Sequence, residues 1–127
     1  SDYITLSSVE TATRSGAALE TPDDLQRRLF DTYNVESVTS SNGGIPFMMV
    51  GNLYAWAGSQ YDPGVLDGKN FDEIVDELAD PETDLAQEIG TTANYLSAMI
   101  CQVTGQQPAD VCSSAGVQQA QDVFPPL

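Results

Sequence analysis

Apolar and polar positions alternate over residues 3–9, with Ile4 and Leu6 on one face and Tyr3, Thr5, Ser7 and Val9 on the other. A period of two predicts a strand. Arg14-Ser15-Gly16 then turns the chain. Thr21-Pro22-Asp23-Asp24 reads as a helix start: Thr can cap, Pro fits the first turn, and the carboxylates suit the positive end of the helix dipole. Leu25, Leu29, Phe30 and Tyr33 follow at helical spacing and are expected in the core rather than as a binding stripe. Residues 35–44, rich in Ser, Asn and Gly, predict a loop.

Gly43-Gly44-Ile45-Pro46-Phe47-Met48-Met49-Val50-Gly51-Asn52 follows. Pro46 has no amide to donate, so it belongs at the first residue or the edge of a strand, and Phe47-Met48-Met49-Val50 is the strand it introduces. Gly51-Asn52 is a turn pair of the kind that joins antiparallel strands, with Leu53-Tyr54-Ala55-Trp56-Ala57 returning. Residues 60–69 carry Pro63, Gly64 and Gly68 and predict a loop or a short turn of helix. Asn70 with Glu73 forms a capping signature for a helix whose apolar side holds Ile74, Val75 and Leu78. After Asp80-Pro81 the pattern restarts, and Leu85, Ile89, Ala93, Leu96, Ile100 and Val103 mark one face of a long helix ending near Thr104. Val117, Ala120 and Phe124 give residues 113–127 only weak periodicity. The order strand, helix, strand, strand, helices describes an α+β layer with helices against a three-stranded sheet.

The 127 residues suit a single domain over 1–127, with a core over about 3–112 and a tail over 113–127. Charge changes the picture most. The acidic residues number 19, against Lys69, Arg14, Arg27 and Arg28, for a net charge of −15. Nucleic acid and anionic membranes need clustered cations, and the adjacent pair Arg27-Arg28 sits inside an acidic helix as a solvated face. The acidity is open to three readings: solubility or salt adaptation, attraction of cations or a basic partner, and a calcium site. A calcium loop starting at Asp62 or Asp67 fails, because its ligand positions fall on Gly, Leu, Lys or Phe.

The chain has no histidine, which excludes imidazole acid-base catalysis, histidine-based triads and histidine-ligated zinc. Among the many carboxylates no pair stands out as acid and base, so no catalytic, metal-binding or cofactor-binding residue is assigned. Met48 and Met49 point to opposite faces of a strand and cannot chelate together. Tyr54 and Trp56 are expected as packing residues rather than an exposed platform, and Asn94 in the long helix as a structural hydrogen-bonding group. No stretch is apolar enough to span a membrane. Ser1-Asp2-Tyr3 lacks a basic or apolar leader, which leads us to expect a mature product or an excised domain.

Cys101 and Cys112 are too far apart for Cys-x-x-Cys and too few for a zinc site. Gly105 should stop the helix carrying Cys101, and Pro108 should open a short one carrying Val111 and Cys112, folding the cysteines together as a structural disulfide. Closing that loop would contribute roughly 3 kcal/mol. Two buried free thiols are the alternative. A bridge implies an oxidising, extracytoplasmic or secreted location.

Ile45-Pro46-Phe47, Gly51-Asn52-Leu53-Tyr54, Tyr61-Asp62-Pro63-Gly64-Val65-Leu66, Ala93-Asn94-Tyr95-Leu96, and Ile100-Cys101 through Thr104-Gly105-Gln106-Gln107-Pro108 to Val111-Cys112 together resemble an uncharacterised thioredoxin-like family, domain of unknown function 929. The resemblance covers residues 3–112. It implies a partial thioredoxin-like fold in which Ile45-Pro46 is the cis-proline loop, the loop that in redox members lies against the active-site disulfide and offers its backbone to an extended peptide. The strand and helix bearing Cys-x-x-Cys would precede Tyr3. Cys101 falls near a helix C-terminus, where the dipole opposes a thiolate, so redox catalysis by this chain is not expected. Two functions follow: a non-catalytic, exported domain that binds a peptide or protein partner through the Ile45-Pro46 loop, or the C-terminal part of a thiol-disulfide oxidoreductase whose active-site half lies elsewhere.

Overall fold

In the computed structural model, which describes residues 1–38 and 43–124, the first helix is capped by Asp23 rather than Thr21. Asp23 Oδ1 accepts from the Gln26 amide at 2.8 Å, and Gln26 Oε1 accepts from the Asp23 amide at 2.9 Å. This reciprocal pair satisfies two donors left open at the start of α1, Asp24–Phe30. The helix does not stop there. It widens into a π-helical stretch, Asp31–Val38, where the sequence reading placed the beginning of a loop. Residues 39–42 of that predicted loop lie outside the described residues.

The described chain is mixed α/β and falls into two compact units, Ser1–Gly58 and Ser59–Leu127. In the first, Phe47–Val50 (β1) and Tyr54–Ala57 (β2) form an antiparallel hairpin in the register Phe47↔Ala57, Met48↔Trp56, Met49↔Ala55 and Val50↔Tyr54. Gly51 and Asn52 both have positive φ, 56° and 59°, and the Leu53 amide donates to the Val50 carbonyl at 3.0 Å. That turn leaves Leu53 outside the ladder, so the return strand starts one residue later than expected. The Phe47 ring meets Phe30 edge to face, with centroids 5.6 Å apart, and so seats one face of the hairpin on α1.

The expected third strand is a correction. Residues 3–9 join no ladder among the described residues, and Tyr3, Ile4 and Leu6 are exposed. Alternation specifies a face but no partner. Immediately after, the chain makes a small hairpin of its own: the Leu19 amide donates to the Thr11 carbonyl at 3.0 Å, the Glu20 amide to the Glu10 carbonyl at 2.9 Å, and the turn runs through Gly16. The sheet of the described residues therefore has two strands, not three. The stripe on α1 is also less covered than its spacing implies, with Leu29 and Phe30 half-buried and Leu25 and Tyr33 exposed.

In the second unit the Asp62 carboxylate caps a 3-10 turn, Pro63–Leu66, by accepting from the Gly64 amide at 2.9 Å. Asn70 and Glu73 form the expected capping box of α2, Phe71–Ala79. Thr83 then staples α2 to α3, Asp84–Val103: its hydroxyl donates to the Glu77 carbonyl at 2.8 Å and accepts from the Ala86 amide at 3.2 Å. Gly105 and Gln106 have positive φ beyond the end of α3, and two short helices follow, α4 (Ala109–Cys112) and α5 (Ala115–Gln121).

Ala98, Cys101, Cys112, Val117 and Ala120 make the buried core of this unit, with Phe124 packed on it. The boundary expected after 112 thus falls inside the core, because the weakly periodic Val117 and Ala120 lie on a helix that packs against α3. Small side chains and a disulfide fill this seam. Burial on α3 accordingly sits at Leu85, Ala98 and Cys101, while Ala93 and Val103, expected on the buried stripe, are exposed.

Candidate functional site

Asn34 organises the loop that leads into β1. It is the one side chain of the first unit that is fully buried among the described residues, at 0% exposure. Its Nδ2 donates to the Gly44 carbonyl at 2.7 Å, and its Oδ1 accepts from the Gly44 amide at 3.0 Å. One amide side chain thereby satisfies both backbone groups of a single residue, as a neighbouring strand would. Gly43 reaches this position with φ +88°, and a β-carbon there would stand 2.9 Å from Cζ of Phe30. Only glycine fits both the left-handed backbone and the ring.

The consequence lies one residue on. Ile45 is 82% exposed, although it is held between the anchored Gly44 and the strand that begins at Phe47. Pro46 is exposed beside it, and its carbonyl accepts the Gly58 amide at 2.9 Å, extending the hairpin ladder by one pair. The Ile45–Pro46 and Gln107–Pro108 peptides are cis.

Hydrogen-bond direction along β1 follows from that register. With Pro46 bonded to Gly58, the alternation of an antiparallel ladder turns Met48 and Val50 toward β2 and sends the amides and carbonyls of Phe47 and Met49 the other way. Among the described residues those outward amides have no hydrogen-bond partner. An apolar side chain in solvent therefore stands at the head of an open strand edge. Met48 and Met49 occupy opposite faces, and Tyr54 and Trp56, both half-buried, share a face of the hairpin with Met48 and Val50.

Cys101 and Cys112 form a disulfide with a Cα separation of 5.7 Å, and both side chains are buried. The bridge belongs to the core between α3 and α4, not to the surface. Asn94 stands against α5: a β-carbon on Gly116 would lie 2.5 Å from its Nδ2, and the two residues line a groove of about 190 Å³ with Thr91, Tyr95 and Gln119. Its expected structural role is met at a helix crossing, against Gly116. Among the described residues no cluster of three or more carboxylates or cysteines could hold a metal ion, and no helix is long and apolar enough to cross a membrane.

The sequence reading singled out Ile45-Pro46, anticipated the hairpin and missed Asn34. Its one signal was weak: an Asn within helical reach of Phe30, just before the run that reads as loop. No known protein family, curated protein or solved structure matches the chain.

Proposed function

We propose that this chain is a non-catalytic, extracytoplasmic binding domain of thioredoxin-like kind, which takes an extended peptide or protein segment at the Ile45-Pro46 loop and along the outer edge of β1. The observation that carries this reading is the exposure of Ile45 beside an open strand edge, on a loop that buried Asn34 holds in place. A pre-set loop lowers the ordering cost of binding. The edge supplies backbone donors and acceptors at the spacing of an added strand, and Ile45 supplies an apolar anchor.

The absence of catalysis is supported by the cysteines. Thiol-disulfide exchange needs an accessible, activated thiolate, whereas both cysteine sulfurs are joined in a buried bridge at the end of a helix. The same bridge supports an oxidising compartment. Insulin-reduction assays of the isolated chain are expected to show no turnover, and turnover abolished by Cys101→Ser would overturn the non-catalytic reading.

Binding is testable through Trp56, the chain's one tryptophan, which lies in the hairpin opposite Met48. Titration with the neutral peptide acetyl-Thr-Val-Thr-Val-Thr-amide is expected to change Trp56 emission in the wild type and to leave Ile45→Asp unchanged. Equal responses from both proteins would remove Ile45 from the site.

A further inference from the structure

We propose that α2 carries a second docking surface, one that takes a basic amphipathic helix of a partner protein. Phe71 is 78% exposed, and Val75 and Leu78 are exposed with it. These residues follow at i, i+4 and i+7, so they form one stripe along the helix. Ile74, beside the stripe, is half-buried, α2 packs on α3, and the stripe itself is exposed. Short exposed helices seldom keep an aromatic and two aliphatic side chains in line without a use for them.

The charges beside the stripe say what covers it. Of the carboxylates on α2, Glu73 is held in the capping box, accepting from the Asn70 amide at 2.8 Å, and Glu77 accepts from Lys69 Nζ at 2.6 Å. Asp72 remains beside the stripe, three positions before Val75, with Asp76 one turn on from it and farther round the helix, and among the described residues neither has an ion-pair partner. A facing helix with apolar residues on its seam and Lys or Arg beside it would bury Phe71, Val75 and Leu78 and pair Asp72, with Asp76 adding to the field that favours a basic partner. A second copy of this chain would instead bring another net −15 against the first. A helix is the occupant we propose, because it can lay a seam of its own i, i+4, i+7 side chains along the length of this stripe.

The test uses the full chain and two synthetic peptides with the same leucine seam, one flanked by lysines and arginines and the other by glutamates. Fluorescence anisotropy of the labelled basic peptide is expected to show saturable binding, weakened about tenfold or more by Phe71→Ser and by raising salt from about 20 to about 500 mM. Val75→Ser is the second variant; circular dichroism checks that both keep α2 folded. Ile45→Asp is expected to bind the basic peptide like the wild type, which separates this surface from the loop site. Absent binding, equal binding of the two peptides, or binding indifferent to both serine variants would overturn the proposal. So would self-association of the chain in sedimentation that Phe71→Ser abolishes, since the stripe would then belong to a dimer.

Discussion

Asn34 is the residue on which the loop site rests, and its replacement is the sharpest single-residue test of the local account. Asn34→Ala removes both bonds to Gly44 and leaves two backbone groups half-buried without partners. A destabilisation of about 1–3 kcal/mol is expected in urea unfolding, together with faster exchange of the Gly44 amide. Asn34→Asp is more informative because it depends on pH. An ionised carboxylate still accepts from the Gly44 amide but presents a second acceptor to the Gly44 carbonyl, while the protonated acid can donate as the amide does. Burial and that repulsion raise the folded-state pKa of the introduced acid, so its deficit against the wild type grows as pH rises through that value and shrinks below it. A deficit independent of pH would show that Asn34 does not bridge Gly44. Neither the burial of Asn34 nor its bond was legible in the sequence, because its partner lies ten positions away across residues that read as loop.

At the scale of elements, the hairpin was legible and the third strand was not, for one reason. Pro46 and the Gly51-Asn52 pair dictate backbone geometry where they stand, so β1, its turn and β2 follow locally. The alternation at 3–9 dictates only which side chains share a face, and pairing depends on an edge elsewhere. Helix packing shows the same limit. The apolar stripe of α3 was read from Leu85, Ile89, Ala93, Leu96, Ile100 and Val103, but the core it shares with α4 and α5 is built from Ala98, Val117, Ala120 and the disulfide, none of which that stripe contains.

The closeness of Asn94 and Gly116 at that crossing makes a prediction. Gly116→Ala gains helix propensity, up to about 1 kcal/mol, but places a methyl group 2.5 Å from Asn94 Nδ2. Alone it is expected to be neutral or destabilising, and in an Asn94→Ala background stabilising. Thermal unfolding of the four proteins in the cycle would show additivity if the two side chains do not meet. The disulfide gives a second expectation at this scale. Both cysteines are buried, so dithiothreitol should leave the native bridge intact until denaturant opens the core, and replacing both by Ala should cost roughly 3 kcal/mol. Rapid reduction of the folded chain would place the bridge at the surface.

Across the whole molecule the dominant property is the net charge of −15, read directly from composition. Its distribution was less visible. The stretch from Asp62 to Glu88 has Lys69 as its one cation, whereas residues 37–61, which contain the loop site and the hairpin, carry no charged side chain. Screening should relieve self-repulsion, so the melting temperature is expected to rise between about 10 mM and 1 M sodium chloride. A fall would mean that attractive ion pairs outweigh repulsion. The uncharged hairpin also bears on the peptide site: binding there should vary little with salt, unlike binding at α2.

Amide hydrogen exchange at β1 tests the proposed strand addition most directly. In the free chain Met48 and Val50 amides, bonded to β2, should exchange slowly, and Phe47 and Met49 amides quickly. With saturating acetyl-Thr-Val-Thr-Val-Thr-amide, the account expects Phe47 and Met49 to become protected in the wild type and to stay fast in Ile45→Asp. Unchanged exchange at Phe47 and Met49 on binding would contradict it.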